Sequence, residues 1–165
     1  MDQMGALEAA YDDRLLDKQR EFTALSQLLF MFENPRKAAR VIEDGLNQGV
    51  VKKEEKTLKA AAQYWHAAKE LERAKPYYKQ AATKSKEGEL FIFLGQVHFS
   101  LDEFDKAENA IRDGIKKGKL RDESAAYMLL GQINFENQKW ESAVESFRKC
   151  IDCLLYTSPS PRDSV

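Results

Sequence analysis

The chain has 165 residues, 43% hydrophobic and 32% charged, which is enough apolar surface for a sizeable core and too much charge for a chain that lives in lipid. Lys and Arg number 26 against 27 Asp and Glu, so the net charge of -1 gives no global basic field to gather nucleic acid. No window approaches the roughly 18 uninterrupted apolar residues of a spanning helix, and His66 and His98 lie too far along the chain from Cys150 and Cys153 to read as a zinc site.

In chain order, Met1 to Lys18 is acidic and broken by charges, unlike an export signal, and residues 1–19 read as a flank carrying part of a helix from a preceding repeat. Apolar residues then recur at helical spacing, as in Phe91, Leu94, Val97, His98 and Leu101, with no sustained alternation to mark a strand. Helices are expected at 20–32, 35–48, 55–68, 71–84, 87–101, 104–117, 122–137 and 140–152. Asn34-Pro35 supplies a cap with proline in the first turn, while Gly49, Gly88 and Gly118 mark helix ends or the loops after them. Pro76 falls inside the segment 71–84 and is expected to kink it unless the helix begins late. From Cys153 the run CLLYTSPSPRDSV leaves the pattern. Residues 153–165 resemble translated adaptor sequence, or else a native Pro/Ser-rich linker, and under both readings are expected to be a disordered tail.

The pattern it leaves is a repeat. Leu94-Gly95-Gln96 echoes in Leu130-Gly131-Gln132, and Ala107 and Ala143 stand twelve residues after each Gly. Ala62-Gln63 precedes Ala74, and Ser26-Gln27 precedes Ala38, by the same twelve. Four units therefore run in phase, 36, 33 and 36 residues apart. A longer echo, Ile42 to Gly49 against Ile111 to Gly118, spans 69 residues and suggests a doubled two-repeat cassette. Each unit reads as a helix pair. Where two helices cross closely a large side chain pushes their axes apart, so Ser26, Ala62, Gly95 and Gly131 are expected to face Ala38, Ala74, Ala107 and Ala143. Leu25, Leu94, Leu130, Tyr78, Ile111 and Phe147 then fill the space between hairpins, which bury their apolar faces only by stacking.

These features resemble the tetratricopeptide repeats: a Leu-Gly pair, a large residue near it, an Ala twelve on and a further small residue seven later, as at Ala81, Gly114 and Cys150. The resemblance covers roughly residues 20 to 152. It implies an all-α fold, an α-solenoid of about four helix-turn-helix repeats at 20–54, 55–86, 87–121 and 122–152, serving as a non-catalytic protein interaction scaffold. Three runs (NPRKAARVIEDGLNQGVV, AKELERAKPYYKQAATKSKEGELFIFLGQVHF and KGKLRDESAAYMLLGQINFENQKWESAVESFRK) look like the periplasmic tetratricopeptide proteins encoded beside TonB-type systems of gammaproteobacteria. That likeness implies an exported, periplasmic accessory of outer-membrane uptake, of which this chain is a carboxy-terminal portion. The alternatives are a cytoplasmic tetratricopeptide adaptor and a repeat arm of a larger multidomain enzyme.

No Gly-rich phosphate loop, serine elbow or paired His at metal-ligand spacing nominates a catalyst, a metal or a cofactor. His98 reads as a structural histidine, and His66, the more exposed, lacks a nucleophile. Cys150-x-x-Cys153 sits at a helix carboxy end, the wrong end for a low-pKa thiol. The richer signal is one helical face. The residue after each small contact residue is Gln27, Gln63, Gln96 or Gln132, and one turn on stand Phe30, His66, Phe99 and Phe135. An amide ladder beside an aromatic stripe is expected to hold an extended peptide in a groove, amides on its backbone and aromatics on its apolar side chains. The competing reading is that the amides are simply solvated and the aromatics belong to the inter-hairpin core. Charge is uneven: residues 36 to 86 carry 13 basic and 6 acidic side chains. That stretch reads first as a solvated convex face, and alternatively as one that steers an acidic partner or pairs one molecule's middle with another's acidic end in self-association. Neither nucleic acid nor membrane insertion is expected.

Overall fold

The computed structural model describes residues 3–157. Among them all regular structure is helical: α1 (Gln3–Asp12), α2 (Gln19–Met31), α3 (Pro35–Asn47), α4 (Glu55–Ala67), α5 (Leu71–Lys84), α6 (Glu89–Ser100), α7 (Phe104–Lys117), α8 (Glu123–Glu136) and α9 (Trp140–Thr157). The fold class is the expected one, consecutive helix-turn-helix repeats of the tetratricopeptide-like solenoid type. Two compact units divide the chain between Ser85 and Lys86. In the first, α1 packs on α2, and α2, α3, α4 and α5 pack in succession. In the second, α6 to α9 do the same, and α6 also touches α8.

Local chemistry sets the boundaries. The Asn34 side chain accepts from the Lys37 N–H at 3.2 Å with Pro35 opening α3, and Asp122 accepts from the Ala125 N–H at 2.9 Å to open α8. Every hairpin turn is built alike. Glu33, Lys69, Asp102 and Gln138 all take left-handed backbone, with φ of 59°, 63°, 57° and 59°. The next residue in each turn donates five residues back: Asn34 to Leu29, Glu70 to Trp65, Glu103 to His98 and Lys139 to Asn134, at 2.8–3.0 Å. These are Schellman turns made without glycine. They repeat at the same 36, 33 and 36 spacing as the small residues.

Packing explains that spacing. Ser26, Ala62, Gly95 and Gly131 are buried, as are Ala38, Ala74, Ala107 and Ala143. The contacts differ in detail from simple small-on-small pairing. Gly95 lies beneath the Ile111 side chain and near the Ala107 carbonyl, and Gly131 lies beneath the Phe147 ring, where a Cβ would stand 2.5 Å from Cδ1 and 2.8 Å from Cζ. In unit 2 Ile92, Ala107, Ile111, Ala126, Leu130 and Ile133 form one buried cluster. Burial of such side chains, at about 25 cal/mol per Å² of apolar area, is the main force holding the helices of each unit together.

Pro76 lies inside α5, which runs Leu71–Lys84 as expected, with helix on both sides of the proline. Gly88 stands in the loop after α5 and also caps the start of α6. Its N–H donates to the Gly118 carbonyl at 2.8 Å, and a Cβ on Gly88 would stand 2.8 Å from the Gly114 carbonyl carbon. One expected boundary changes: α9 continues through Thr157 rather than ending at 152. Residues 153–157 are thus helix rather than disordered tail, and the rest of the expected tail lies outside the described residues.

Ion pairs tie hairpins together at the turns. Arg36 meets Glu70 at 2.7 Å in unit 1, and Lys139 meets Asp105 and Glu108 at 2.8 Å in unit 2. Arg73 bridges to Glu43 at 2.5 Å while its guanidinium lies 3.7 Å over the Trp65 ring.

Candidate functional site

Helical phase places the four expected amides on α2, α4, α6 and α8, each one residue past the buried crossing residue and therefore turned outward. Gln27, Gln63, Gln96 and Gln132 are all exposed, and none has a side-chain hydrogen bond among the described residues. Each unit presents two of them. In unit 1 the amide of Gln27 borders a cleft of about 220 Å³ that Gln19, Thr23, Lys56 and Tyr64 also line. Burial pushes the Tyr64 phenol above its ordinary value, with a contact to Ser26 opposing it.

The aromatic stripe is more committed to the fold than the sequence suggests. Phe30 leans on Tyr64 with ring centroids 4.6 Å apart. His66 turns inward, its Nδ1 3.2 Å from the Tyr78 hydroxyl. Burial, then the nearby Lys69, pulls its pKa below the usual histidine value, so it is an uncharged, half-buried packing residue at neutral pH. Tyr78 itself is pushed up to about 12 by burial. Phe99 sits 6.0 Å from Phe104, and Phe135 5.1 Å from Trp140. Phe135 remains 53% exposed and Phe30 39%, so these two present free ring surface beside their amides.

The other candidates resolve into structure. His98 Nδ1 lies 2.5 Å from the Glu103 carboxylate, at the turn its own helix leads into. Cys150 is buried at the small packing position. Burial, with Glu123 adding to it, raises the Cys153 pKa, the opposite of what a thiolate nucleophile needs. No group of three or more His, Cys, Asp or Glu among the described residues is placed to hold a metal ion. No described helix is long and apolar enough to cross a membrane. Sequence reading missed the Arg73, Glu43 and Tyr77 cluster, in which the Tyr77 hydroxyl donates to Glu43 at 2.8 Å. Its only trace was that Glu43 and Tyr77 stand about one repeat length apart.

Residues 124–152 match the tetratricopeptide repeat family model. No curated protein matches the chain. Among solved structures, "Crystal structure of MamA" is similar at TM-score 0.75 and 17% identity, covering 93% of this chain and 87% of that one. "MamA 41-end from Desulfovibrio magneticus RS-1" is similar at 0.75 and 13%, covering 94% and 86%. "Crystal structure of APC/C hetero-tetramer Cut9-Hcn1" is similar at 0.62 and 15%, covering 92% of this chain and 29% of that one. At these identities the likeness is one of fold.

Proposed function

We propose that the protein is a non-catalytic interaction scaffold whose outward amide faces hold extended peptide segments of a protein partner. The observation that supports this reading is the four glutamines: exposed, in phase and free of side-chain hydrogen bonds, with open ring surface of Phe30 and Phe135 one turn along. A peptide backbone presents the donors and acceptors an amide pairs with, each bond contributing about 0.5–1.5 kcal/mol net. The tetratricopeptide match over 124–152 and the structural likenesses fit a scaffold of this kind. The test is a bead-displayed library of extended decapeptides. Gln63→Ala, Gln96→Ala and Gln132→Ala together are expected to reduce capture strongly with folding unchanged, since exposed amides leave no buried group unpaired. A control pair on α5, Lys79→Ala and Lys84→Ala, is expected to capture as the parent does. Equal capture by the glutamine variant sinks the reading.

The finer role, a periplasmic accessory of a TonB-type uptake system, is carried by the likeness of the three runs quoted above. Its test is export of the full gene product and its co-purification with energy-transduction proteins. Retention in the cytoplasm would favour the adaptor reading.

A further inference from the structure

A cleft of about 300 Å³ opens between α7 and α9 above α8, away from the amide faces. Its floor is apolar, made by Ile115, Tyr127 and Leu130, and Arg112 and Lys116 stand on the α7 side. The 69-residue echo gives this cleft a counterpart inside unit 1. Arg112 corresponds to Glu43 and Ser146 to Tyr77. In unit 1 the Tyr77 phenol spans from α5 to α3 and donates to Glu43 at 2.8 Å, closing the gap with the chain's own side chain. In unit 2 the Ser146 hydroxyl is spent on its own helix, donating to the Ser142 carbonyl at 2.8 Å. The volume a tyrosine fills in one unit is therefore open in the other, and a cation stands where the carboxylate stood.

The charged groups around it are incompletely matched. Arg112 gives Nε and Nη2 to Glu108, which also serves Lys139, and so retains guanidinium donors. Lys149 pairs with the exposed Glu145 at 2.7 Å and lies 5.8 Å over the Tyr127 ring. Lys116 has no ion-pair partner among the described residues.

We propose that this cleft is a docking site for a segment of a protein partner in which a large apolar side chain is flanked by acidic residues. The apolar group fills the place of the Tyr77 ring, and the carboxylates meet Arg112 and Lys116, the inverse of the unit 1 arrangement. The apolar floor favours a side chain over a phosphate backbone, and the lining carboxylate Glu145, with Glu108 already bonded to Arg112, opposes a dense polyanion.

The experiment is a fluorescence anisotropy titration of the full chain with a labelled peptide carrying one Phe between pairs of Glu, and with its Lys-for-Glu counterpart. The Glu peptide is expected to bind, more weakly as salt rises, and the Lys peptide not to bind. Arg112→Glu with Ser146→Tyr rebuilds the unit 1 plug and is expected to weaken binding about tenfold or more. Lys116→Glu, an exposed change that spares the packing, is expected to do the same and decides the matter if the plugged variant misfolds by circular dichroism. The glutamine triple variant should bind this probe as the parent does, which separates this site from the amide faces. Failure of the Glu peptide to bind, undiminished binding to Lys116→Glu, or a preference for anionic vesicles over the peptide would overturn the proposal.

Discussion

Places 69 residues apart correspond in the two units, yet Arg36–Glu70 in the first becomes Asp105–Lys139 in the second, one bridge between successive hairpins with its charges exchanged. The interiors diverge at the same phase. Leu29 and Trp65 occupy the buried position three residues past the crossing in unit 1, whereas unit 2 puts His98 and Asn134 there. Trp65 is roofed by Arg73. Asn134 is fully buried with neither amide atom hydrogen-bonded. The repeat therefore specifies where contacts fall and leaves their chemistry open, so each unit solves a given contact in its own way.

The largest expected break in this correspondence is Gly131→Leu. Its Cβ enters the space of the Phe147 ring, and overpacking of this kind costs about 1–3 kcal/mol. Urea unfolding should show the loss, and an unchanged midpoint would remove Gly131 from the crossing. Next comes Asn134→Leu, which puts an apolar side chain where unit 1 has Trp65. Relieving a buried, unpaired amide should raise stability by about 1 kcal/mol, read as a higher melting midpoint. A fall would show that the amide is satisfied in solution. The smallest effect sharpens the comparison itself. Glu70→Lys alone should lose a few tenths of a kcal/mol, within the roughly 0.2–1 kcal/mol of an exposed pair, and adding Arg36→Asp should restore it by recreating the unit 2 polarity. A double-mutant cycle with no coupling would mean the bridge is geometry without energy.

Periodicity made most of the fold legible. The small residues and the apolar stripes placed eight helices to within two residues at nearly every end, because crossing points and caps are written locally, as in Asn34-Pro35. The four left-handed turn residues left no such mark, since Glu, Lys, Asp and Gln carry no conformational signature of the kind glycine does. At the candidate site the exposed amides follow from helical phase alone. The inward turn of His66 does not, because it depends on Tyr78 arriving from the partner helix. The cleft over α8 was equally invisible: it is defined by what Ser146 fails to fill, which only a comparison with Tyr77 in place reveals.

The bond from the Gly88 N–H to the Gly118 carbonyl joins the start of α6 to the residue that closes α7, outside either helical ladder. Gly88 is buried, so its proton meets solvent only when that hairpin parts. In deuterium this single amide becomes a clock. Its exchange rate times the opening of α6 from α7 separately from the fraying of helix ends, and gives a residue-level readout of local unfolding in unit 2.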